Sequence, residues 1–198
     1  MPRSTAGYLA LAAVDTALAA TGRRRARLLS KPLLMPALAV GRDRQTQTAL
    51  ALSGVGDVAL LAPGQAAFSA GLGSFLAAHV VWIRALRQRP AGGRVEARPA
   101  LVLPYGAAWL ALNAVLWPRT GRDRWPVLAY SAVLAAMAVA ALDTDDTPTA
   151  VGGALFMTSD SLLALERFAD VHLPAHEGLV MATYTAAQLL LAAGGTVD

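Results

Sequence analysis

Residues 124–141 read RWPVLAYSAVLAAMAVAA, a run of eighteen positions in which only Arg124 is charged. A helix of that length rises about 27 Å at 1.5 Å per residue, which is close to the thickness of the hydrocarbon core of a bilayer. A surface helix of a soluble protein would carry polar residues along one face. The segment therefore predicts a membrane-crossing helix.

Comparable apolar segments recur along the whole chain, each bounded by Arg, Gly, Pro or Asp. With the first segment they make eight predicted spans: 5–20, 28–40, 46–62, 67–85, 100–117, 124–141, 149–165 and 177–193. The segment 28–40 is the exception, because about 13 residues rise only roughly 20 Å and include Pro32 and Pro36. We expect it to be re-entrant, or kinked and sheltered by its neighbours.

The composition supports a membrane protein. Of the 198 residues, 56% are hydrophobic and 15% are charged, with a mean hydropathy of +0.47, whereas soluble domains usually carry about 25% charged residues. The links between segments are too short for a second domain. We therefore predict an all-α, polytopic transmembrane helix bundle of about eight helices, a single domain over residues 1–198, in the cell membrane. The first segment, interrupted by Asp15, is interpreted as a transmembrane helix rather than a signal peptide.

The positive charge is typical of juxtamembrane loops. The net charge is +4 and the sequence pI is about 10.1, but the arginines cluster between apolar segments, where headgroups lie. No basic face interleaved with aromatic residues is present, which argues against nucleic-acid binding. The two faces of an eight-span bundle would carry eight and nine basic residues, so the positive-inside rule leaves the orientation open. With no cysteine, thiol catalysis and Fe–S clusters are excluded, and we predict no cofactor.

Ionisable residues inside the predicted spans are the first candidates for function, because they are costly in a membrane. They are Asp15, Asp57, His79 and Asp160, with Lys31 at the mouth of the second span and with the neutral polar residues Ser53, Asn113, Tyr130, Ser159, Tyr184 and Gln188. Alternating helix directions place most of them in one half of the membrane, on the side of the 23–27 loop. Asp57 and Asp160 each lie about five residues from a predicted helix end, roughly 8 Å deep. The pattern predicts one polar pocket.

Each candidate also has a purely structural explanation. Serine, asparagine and tyrosine commonly bridge membrane helices, His79 alone is more often an interhelical group than a ligand, and Asp15 can pair with the nearby arginines. The structural explanation is weakest for Asp57 and Asp160, because a buried carboxylate needs a partner or a proton. Lys31, the one lysine of the chain, could bind phosphate or hold a carboxylate ionised. His172 and His176 lie in a predicted loop, and we predict no metal site.

These residues occur in an order that resembles the YhhN family of eight-helix membrane proteins, which includes the animal lysoplasmalogenases. The resemblance extends over roughly residues 8–193 and rests on Ser30-Lys31-Pro32, Gly56-Asp57, Phe75…His79, Gly153-Ala154-Leu155-Phe156…Ser159-Asp160 and Tyr184…Gln188. It implies hydrolysis of the vinyl ether bond of lysoplasmalogens, releasing a fatty aldehyde and glycerophospho-ethanolamine or -choline. Such a reaction needs a carboxylic acid and a carboxylate base.

The resemblance assigns the candidate roles. Asp57 and Asp160 would be catalytic, with the choice of acid and base left open, and their side chains are expected within about 8 Å of each other. The predicted substrate-binding residues are Lys31, Ser30, His79, Ser159, Tyr184 and Gln188. The predicted partners are a lysophospholipid or ether lipid and the bilayer, and the sequence leaves the oligomeric state open. The alternative is a non-enzymatic transporter or lipid- or solute-binding protein that uses the buried aspartates as proton or cation sites.

Overall fold

The computed structural model describes residues 3–195, and the described chain is an all-α helical bundle. This confirms the predicted fold class, and each of the eight predicted segments contains a long helix. The helices are α1 (Arg3–Ala20), α2 (Arg24–Ala39), α3 (Arg44–Leu61), α4 (Gln65–Arg87), the single turn α5 (Arg94–Ala97), α6 (Leu103–Leu116), α7 (Arg124–Leu142), α8 (Thr147–Ala169) and α9 (His176–Ala193). The division of the chain into membrane spans and a single domain stays a prediction.

Seven of the long helices form a closed ring in the order α1, α2, α3, α4, α7, α8, α9, each packed on its neighbours. The chain leaves the ring after α4, places α6 outside against α7 and α8, and returns to the ring at α7. Loops 40–43, 88–102 and 143–146 lie with both described chain ends on one face of the bundle, here called the terminal face. Loops 21–23, 62–64, 117–123 and 170–175 lie on the opposite, distal face.

Small residues set the closest helix contacts in the ring. A Cβ added to Gly56 of α3 would lie 2.6 Å from ring carbons of Phe75 on α4, and one added to Gly153 of α8 would lie 2.8 Å from the Cβ of Ala141 on α7. Membrane helices use small residues in this way to bring their backbones together. A Cβ added to Gly73 of α4, in contrast, would have no neighbouring atom within 4 Å.

The distribution of side chains is that of a membrane protein. Large hydrophobic residues such as Leu29, Leu103 and Trp125 are exposed on the outside, while Asp15, His79 and Gln188 are fully buried. Within residues 3–195, three helices are long and apolar enough to cross a membrane, namely Gln65–Arg87, Pro99–Leu116 and Gly121–Leu142, and Thr5–Ala20 is a shorter apolar helix. The remaining long helices are less apolar because they carry most of the interior polar groups.

The short second segment is one continuous helix rather than a re-entrant loop. Helix α2 has 16 residues and contains both Pro32 and Pro36. It begins at Arg24, four residues earlier than predicted, because its arginines have anionic partners on neighbouring helices. Its inner side is sheltered by the ring, since Leu34 and Met35 are almost completely buried, which is the condition for interrupted backbone hydrogen bonding at membrane depth.

On the terminal face, Asp43 caps α3. Its side chain accepts hydrogen bonds from the backbone amides of Gln45 and Thr46, both at 2.9 Å, and from the Thr46 hydroxyl at 2.6 Å. Burial raises the pKa of Asp43, but these hydrogen bonds and the nearby Arg89 lower it by more, so that it lies below its ordinary value. Asp43 therefore stabilises the start of α3 as an anion.

Candidate active site in the helix ring

Asp57 lies in the ring interior with a cation and a phenol as its partners. One carboxylate oxygen is 3.1 Å from the Lys31 ammonium of α2, and the other accepts a hydrogen bond of 2.7 Å from the Tyr184 hydroxyl of α9. The side chain of Asp57 is 2% exposed and that of Lys31 is 12% exposed. A carboxylate so deeply buried is stable only with a close opposite charge and further hydrogen bonds, and both are present.

Side chains of α2 and α9 meet inside the ring, in a set of contacts here called the α2–α9 seam. Gln188 lies one turn after Tyr184 and donates a hydrogen bond of 3.2 Å to its hydroxyl oxygen. Lys31 contacts the sulfur of Met181 at 3.7 Å, and Tyr184 contacts the sulfur of Met35 at 3.8 Å. Side chains one turn apart on both helices thus meet in successive layers, and the predicted pair Tyr184 and Gln188 lies next to Asp57.

Asp160 of α8 has a different environment. Its carboxyl group accepts a hydrogen bond from the Tyr130 hydroxyl of α7, and that hydroxyl lies 3.1 Å from Nε2 of His79 on α4. His79 is fully buried and Tyr130 is 9% exposed, whereas Asp160 is partly accessible. Over residues 3–195, Asp160 has no salt bridge, unlike Asp57.

Asp160 lies farther from the end of its helix than the predicted span implied. Helix α8 continues to Ala169, so Asp160 lies nine residues from its end, roughly 14 Å at 1.5 Å per residue, and its depth in the membrane stays a prediction. The extension is stabilised by Arg167, whose guanidinium lies 3.7 Å from the ring centroid of Phe68 on α4. Asp57 is four residues from the end of α3, so the two carboxyl groups lie at different depths along their helices.

Phe156 connects the two carboxyl clusters. Its ring packs edge-on against His79 at 4.7 Å and against Tyr184 at 5.4 Å between centroids. It lies one helical turn before Asp160 on α8. Each aspartate thus has its own phenol, and no hydrogen bond between Asp57 and Asp160 is found in the described part of the chain. The predicted separation of about 8 Å stays a prediction.

Ser30 belongs to a third cluster, on α1 and α2 rather than beside Asp57. Its hydroxyl donates a hydrogen bond of 2.6 Å to Asp15, whose other carboxylate oxygen is 3.4 Å from the guanidinium of Arg27. Arg27 also contacts Glu177 of α9 at 3.0 Å. The expected pairing of Asp15 with the arginine-rich loop is therefore present, and Ser30 has a structural partner there.

Several other polar candidates bridge helices. Ser159 donates a hydrogen bond of 3.0 Å to the carbonyl of Val180, which joins α8 to α9. Asn113 of α6, outside the ring, donates one of 3.2 Å to Ser131 of α7. The hydroxyl of Ser53 is buried without a hydrogen-bond partner among the described residues. Ser159 thus lies beside Asp160 in sequence but bonds to the backbone of the next helix.

The two histidines after α8 lie on the distal face. His172 contacts Asp170 at 2.9 Å, and His176 accepts a backbone hydrogen bond of 3.3 Å from Leu173. Within residues 3–195, no group of three or more histidine or acidic side chains has a geometry that could hold a metal ion. These contacts order the α8–α9 loop.

A well-defined cavity lies away from these residues. A pocket of about 670 Å³ opens between α4, α6 and α7 near the terminal face, and its wall includes Arg87, Tyr105, Trp109 and Asp143. None of the candidate site residues lines it. The candidate site is a closely packed polar interior, whose partly exposed groups are Lys31 and Asp160.

Sequence reasoning underrated Tyr130 and missed Phe156 as part of the site. Tyr130 was recognisable as a polar residue at the right depth, but its role as the partner of Asp160 depends on α7 lying next to α4 and α8. Phe156 lies four residues before Asp160 on the same helix face. That spacing and the place of Phe156 in the quoted motif were the available signals, although an apolar residue in an apolar helix usually serves only in packing.

The sequence is similar to proteins of one family. The YhhN family model matches residues 24–195. The chain is 36% identical over 169 residues to a protein named lysoplasmalogenase from Mycobacterium bovis, with 78% of this chain and 62% of the relative aligned. It is 34% identical over 158 residues to human lysoplasmalogenase TMEM86B, at 76% and 63%, and 30% identical over 154 residues to bovine lysoplasmalogenase TMEM86A, at 72% and 61%. The chain thus spans about 62% of the length of these relatives. No solved structure matches it.

Proposed function

The chain belongs to the YhhN family, and from this membership we propose that it is a membrane-embedded lysoplasmalogenase. The substrate would be a lysoplasmalogen, a lysophospholipid whose single chain is attached to glycerol through a vinyl ether. The proposal is supported by relatives named lysoplasmalogenase at 30% and 36% identity and by two carboxyl groups in one membrane-protein interior. We further propose that the chain crosses the cell membrane several times as a single domain.

The chemistry needs one proton donor and one base. A carboxylic acid protonates the alkene carbon that is not bonded to oxygen, which leaves an oxocarbenium ion at the other alkene carbon. Water adds there, losing a proton to the base, and the product is a hemiacetal. The hemiacetal then transfers its hydroxyl proton to the first carboxylate, while the second carboxyl protonates the departing glycerol oxygen. The products are a fatty aldehyde and the glycerophospho-alcohol, and both carboxyl groups recover their starting states.

The different partners of the two aspartates assign one as the proton donor and the other as the base, and this observation carries the proposal. Asp57 has the ammonium of Lys31 at 3.1 Å, so it can remain an anion and act as the base. Asp160 has the neutral hydroxyl of Tyr130 and no cation within salt-bridge distance among the described residues, so keeping a proton avoids an uncompensated buried charge. Asp160 is therefore assigned as the proton donor, and Tyr130 can accept from the acid or donate to the carboxylate.

The remaining candidates would support these two groups. Tyr184 and Gln188, bonded in series to Asp57, would hold the base and the attacking water in line. His79, through Tyr130, would keep Asp160 oriented. Lys31 would act on the base rather than on the substrate phosphate. Ser30 and Ser159 would stabilise the helix packing rather than bind substrate, because their hydroxyl groups donate to Asp15 and to the Val180 carbonyl.

The experiment is aldehyde release by the purified protein in detergent, run in D₂O with a 1-alkenyl lysophosphoethanolamine. Protonation at carbon predicts a product with one deuterium at the carbon next to the aldehyde, trapped before exchange. The matched 1-alkyl lipid, which lacks the double bond, should give no aldehyde. Absence of aldehyde from the alkenyl lipid under all conditions would refute the proposal and favour a non-enzymatic binding or transport role.

A further inference from the structure

The outermost layer of the α2–α9 seam is a group of opposite charges on the distal face. Arg24 contacts one carboxylate oxygen of Glu177 at 3.3 Å, and Arg27 contacts the other at 3.0 Å. The side chain of Arg24 is 84% exposed and that of Glu177 is 31% exposed. The side chain of Arg27 is only 10% exposed. The group therefore extends from the surface, at Arg24 and Glu177, into the interior at Arg27.

The layers of this seam lead from the surface to the reacting groups. On α2, Arg27 is followed one turn later by Lys31, the partner of Asp57. On α9, Glu177 is followed one turn later by Met181, which contacts Lys31. Four residues of helix rise about 6 Å. The charged group thus lies about one helical turn outside the level of the Lys31–Asp57 pair.

We propose, resting on the lysoplasmalogenase function proposed above, that Arg24, Arg27 and Glu177 form the headgroup site of the substrate. The ligand class is a zwitterionic phospho-amine, a phosphate joined to an ethanolamine or choline ammonium. The two arginines bind the phosphate, because guanidinium groups match its oxygens with paired hydrogen bonds. Glu177 binds the ammonium.

The charges of the site balance with and without substrate. In the unliganded protein Glu177 pairs with both arginines and Asp15 pairs with Arg27, so two carboxylates offset two guanidinium groups. When the headgroup enters, the phosphate takes over the arginines and the ammonium takes over Glu177, so no charge is left unpaired. A headgroup with phosphate alone would leave Glu177 beside an anion, and a neutral headgroup would displace nothing. The site thereby favours zwitterionic lipids over both alternatives.

The dimensions of the substrate agree with this placement. The glycerol backbone, with bonds of about 1.5 Å, holds the ether oxygen about 6 Å from the phosphorus. That distance matches the single turn between Arg27 and Lys31. With the phosphate on the arginines, the vinyl ether reaches the level of Asp57 and the alkenyl chain continues toward the membrane interior.

The test is kinetic and uses three substrates with the same alkenyl chain: alkenylglycerol, alkenylglycerol phosphate and alkenylglycerophosphoethanolamine. Arg24→Gln should lower kcat/KM for both phosphate-bearing lipids by about tenfold or more, as expected for loss of a charge-assisted hydrogen bond, and leave alkenylglycerol unchanged. Glu177→Gln should reduce the preference for the ethanolamine lipid over the phosphate lipid. The matched control is Arg25→Gln, an exposed neighbour with no described side-chain partner, which should behave as wild type.

A binding measurement separates this inference from the catalytic proposal. Wild-type protein should bind the non-hydrolysable 1-alkyl lysophosphoethanolamine at least tenfold more tightly than Arg24→Gln protein does, whether or not it turns over alkenyl lipids. Equal binding by wild type, Arg24→Gln and Glu177→Gln overturns the headgroup site even if aldehyde is released. Arg27 is tested only as Arg27→Lys, since a neutral residue there would leave the buried Asp15 without its cation. Arg27→Lys protein should keep part of the lipid affinity. Complete loss of lipid binding by Arg27→Lys, together with wild-type affinity in Arg24→Gln, would also overturn the site.

Discussion

Replacing Lys31 with Met would remove the cation from Asp57 while keeping a side chain of similar length. The exposed fractions of 12% for Lys31 and 2% for Asp57 place this pair near the buried limit. There, removal of one partner costs about 3 to 5 kcal/mol, whereas surface pairs contribute at most about 1 kcal/mol. We expect Lys31→Met to reduce the free energy of unfolding by about 3 kcal/mol and to reduce aldehyde release by about 10²- to 10⁴-fold, because the base can no longer remain ionised.

The double variant Lys31→Met/Asp57→Asn separates stability from catalysis. With both charges removed, no uncompensated group is left in the interior, so stability should recover to within about 1 kcal/mol of wild type. Aldehyde release should stay absent. The assay is unfolding in mixed detergent micelles, followed by tryptophan fluorescence, beside turnover of an alkenyl lipid. If Lys31→Met is as stable as wild type, or if Asp57→Asn does not restore stability in its background, the buried pair is not the organising interaction of the site.

Three further predictions concern the second carboxyl cluster, the helix packing and the caps. Tyr130→Phe keeps the ring but removes the hydroxyl that contacts Asp160 and His79. Aldehyde release should fall at least tenfold, and stability should fall by about 1 to 3 kcal/mol because buried groups lose their partner; unchanged turnover would contradict the proposed role. Gly56→Ala should destabilise the protein by about 1 to 3 kcal/mol because the added Cβ meets an aromatic ring. Gly73→Ala, which has open space around it, should be neutral or slightly stabilising. Equal melting temperatures for the two variants would refute the packing argument. Asp43→Ala should lower the free energy of unfolding by about 1 kcal/mol at neutral pH. Because the pKa of Asp43 is lowered in the folded state, the stability difference between wild type and variant should be complete above about pH 3.9 and disappear as the pH falls further. A pH-independent difference would be inconsistent with an anionic cap.

The fold could be predicted because lipid imposes a simple rule on sequence. Long apolar runs separated by arginine, glycine and proline gave a segment for every long helix. The errors occur where charged residues continue a helix beyond the apolar run. Arg24 begins α2 because Glu177 of another helix lies beside it, and α8 extends to Ala169 because Arg167 stacks on Phe68. Both extensions depend on tertiary contacts that local composition does not contain.

The site was only partly predictable, because depth in a helix does not specify the direction of a side chain. Ser30 and Lys31 are adjacent in sequence, yet successive residues point about 100° apart on a helix, so one reaches Asp15 and the other Asp57. The partner of Asp160 depends on ring order. The chain forms α5 and α6 outside the ring before α7 packs on α4. No pattern in the sequence predicts that α7 lies next to α4.

The most direct measurement of the central claim is single-turnover aldehyde release by Asp57→Asn and Asp160→Asn. Each change keeps the size of the side chain and removes its capacity for proton transfer. We predict that both variants remain folded in detergent, Asp57→Asn with a free energy of unfolding lower by about 3 kcal/mol because Lys31 loses its partner. Both should lose about 10²- to 10⁴-fold in rate. Asn113→Ala, which removes a hydrogen bond outside the ring, should lose far less, since an interhelical hydrogen bond in a membrane averages about 0.6 kcal/mol. Turnover at the wild-type rate in either aspartate variant would contradict the acid–base mechanism.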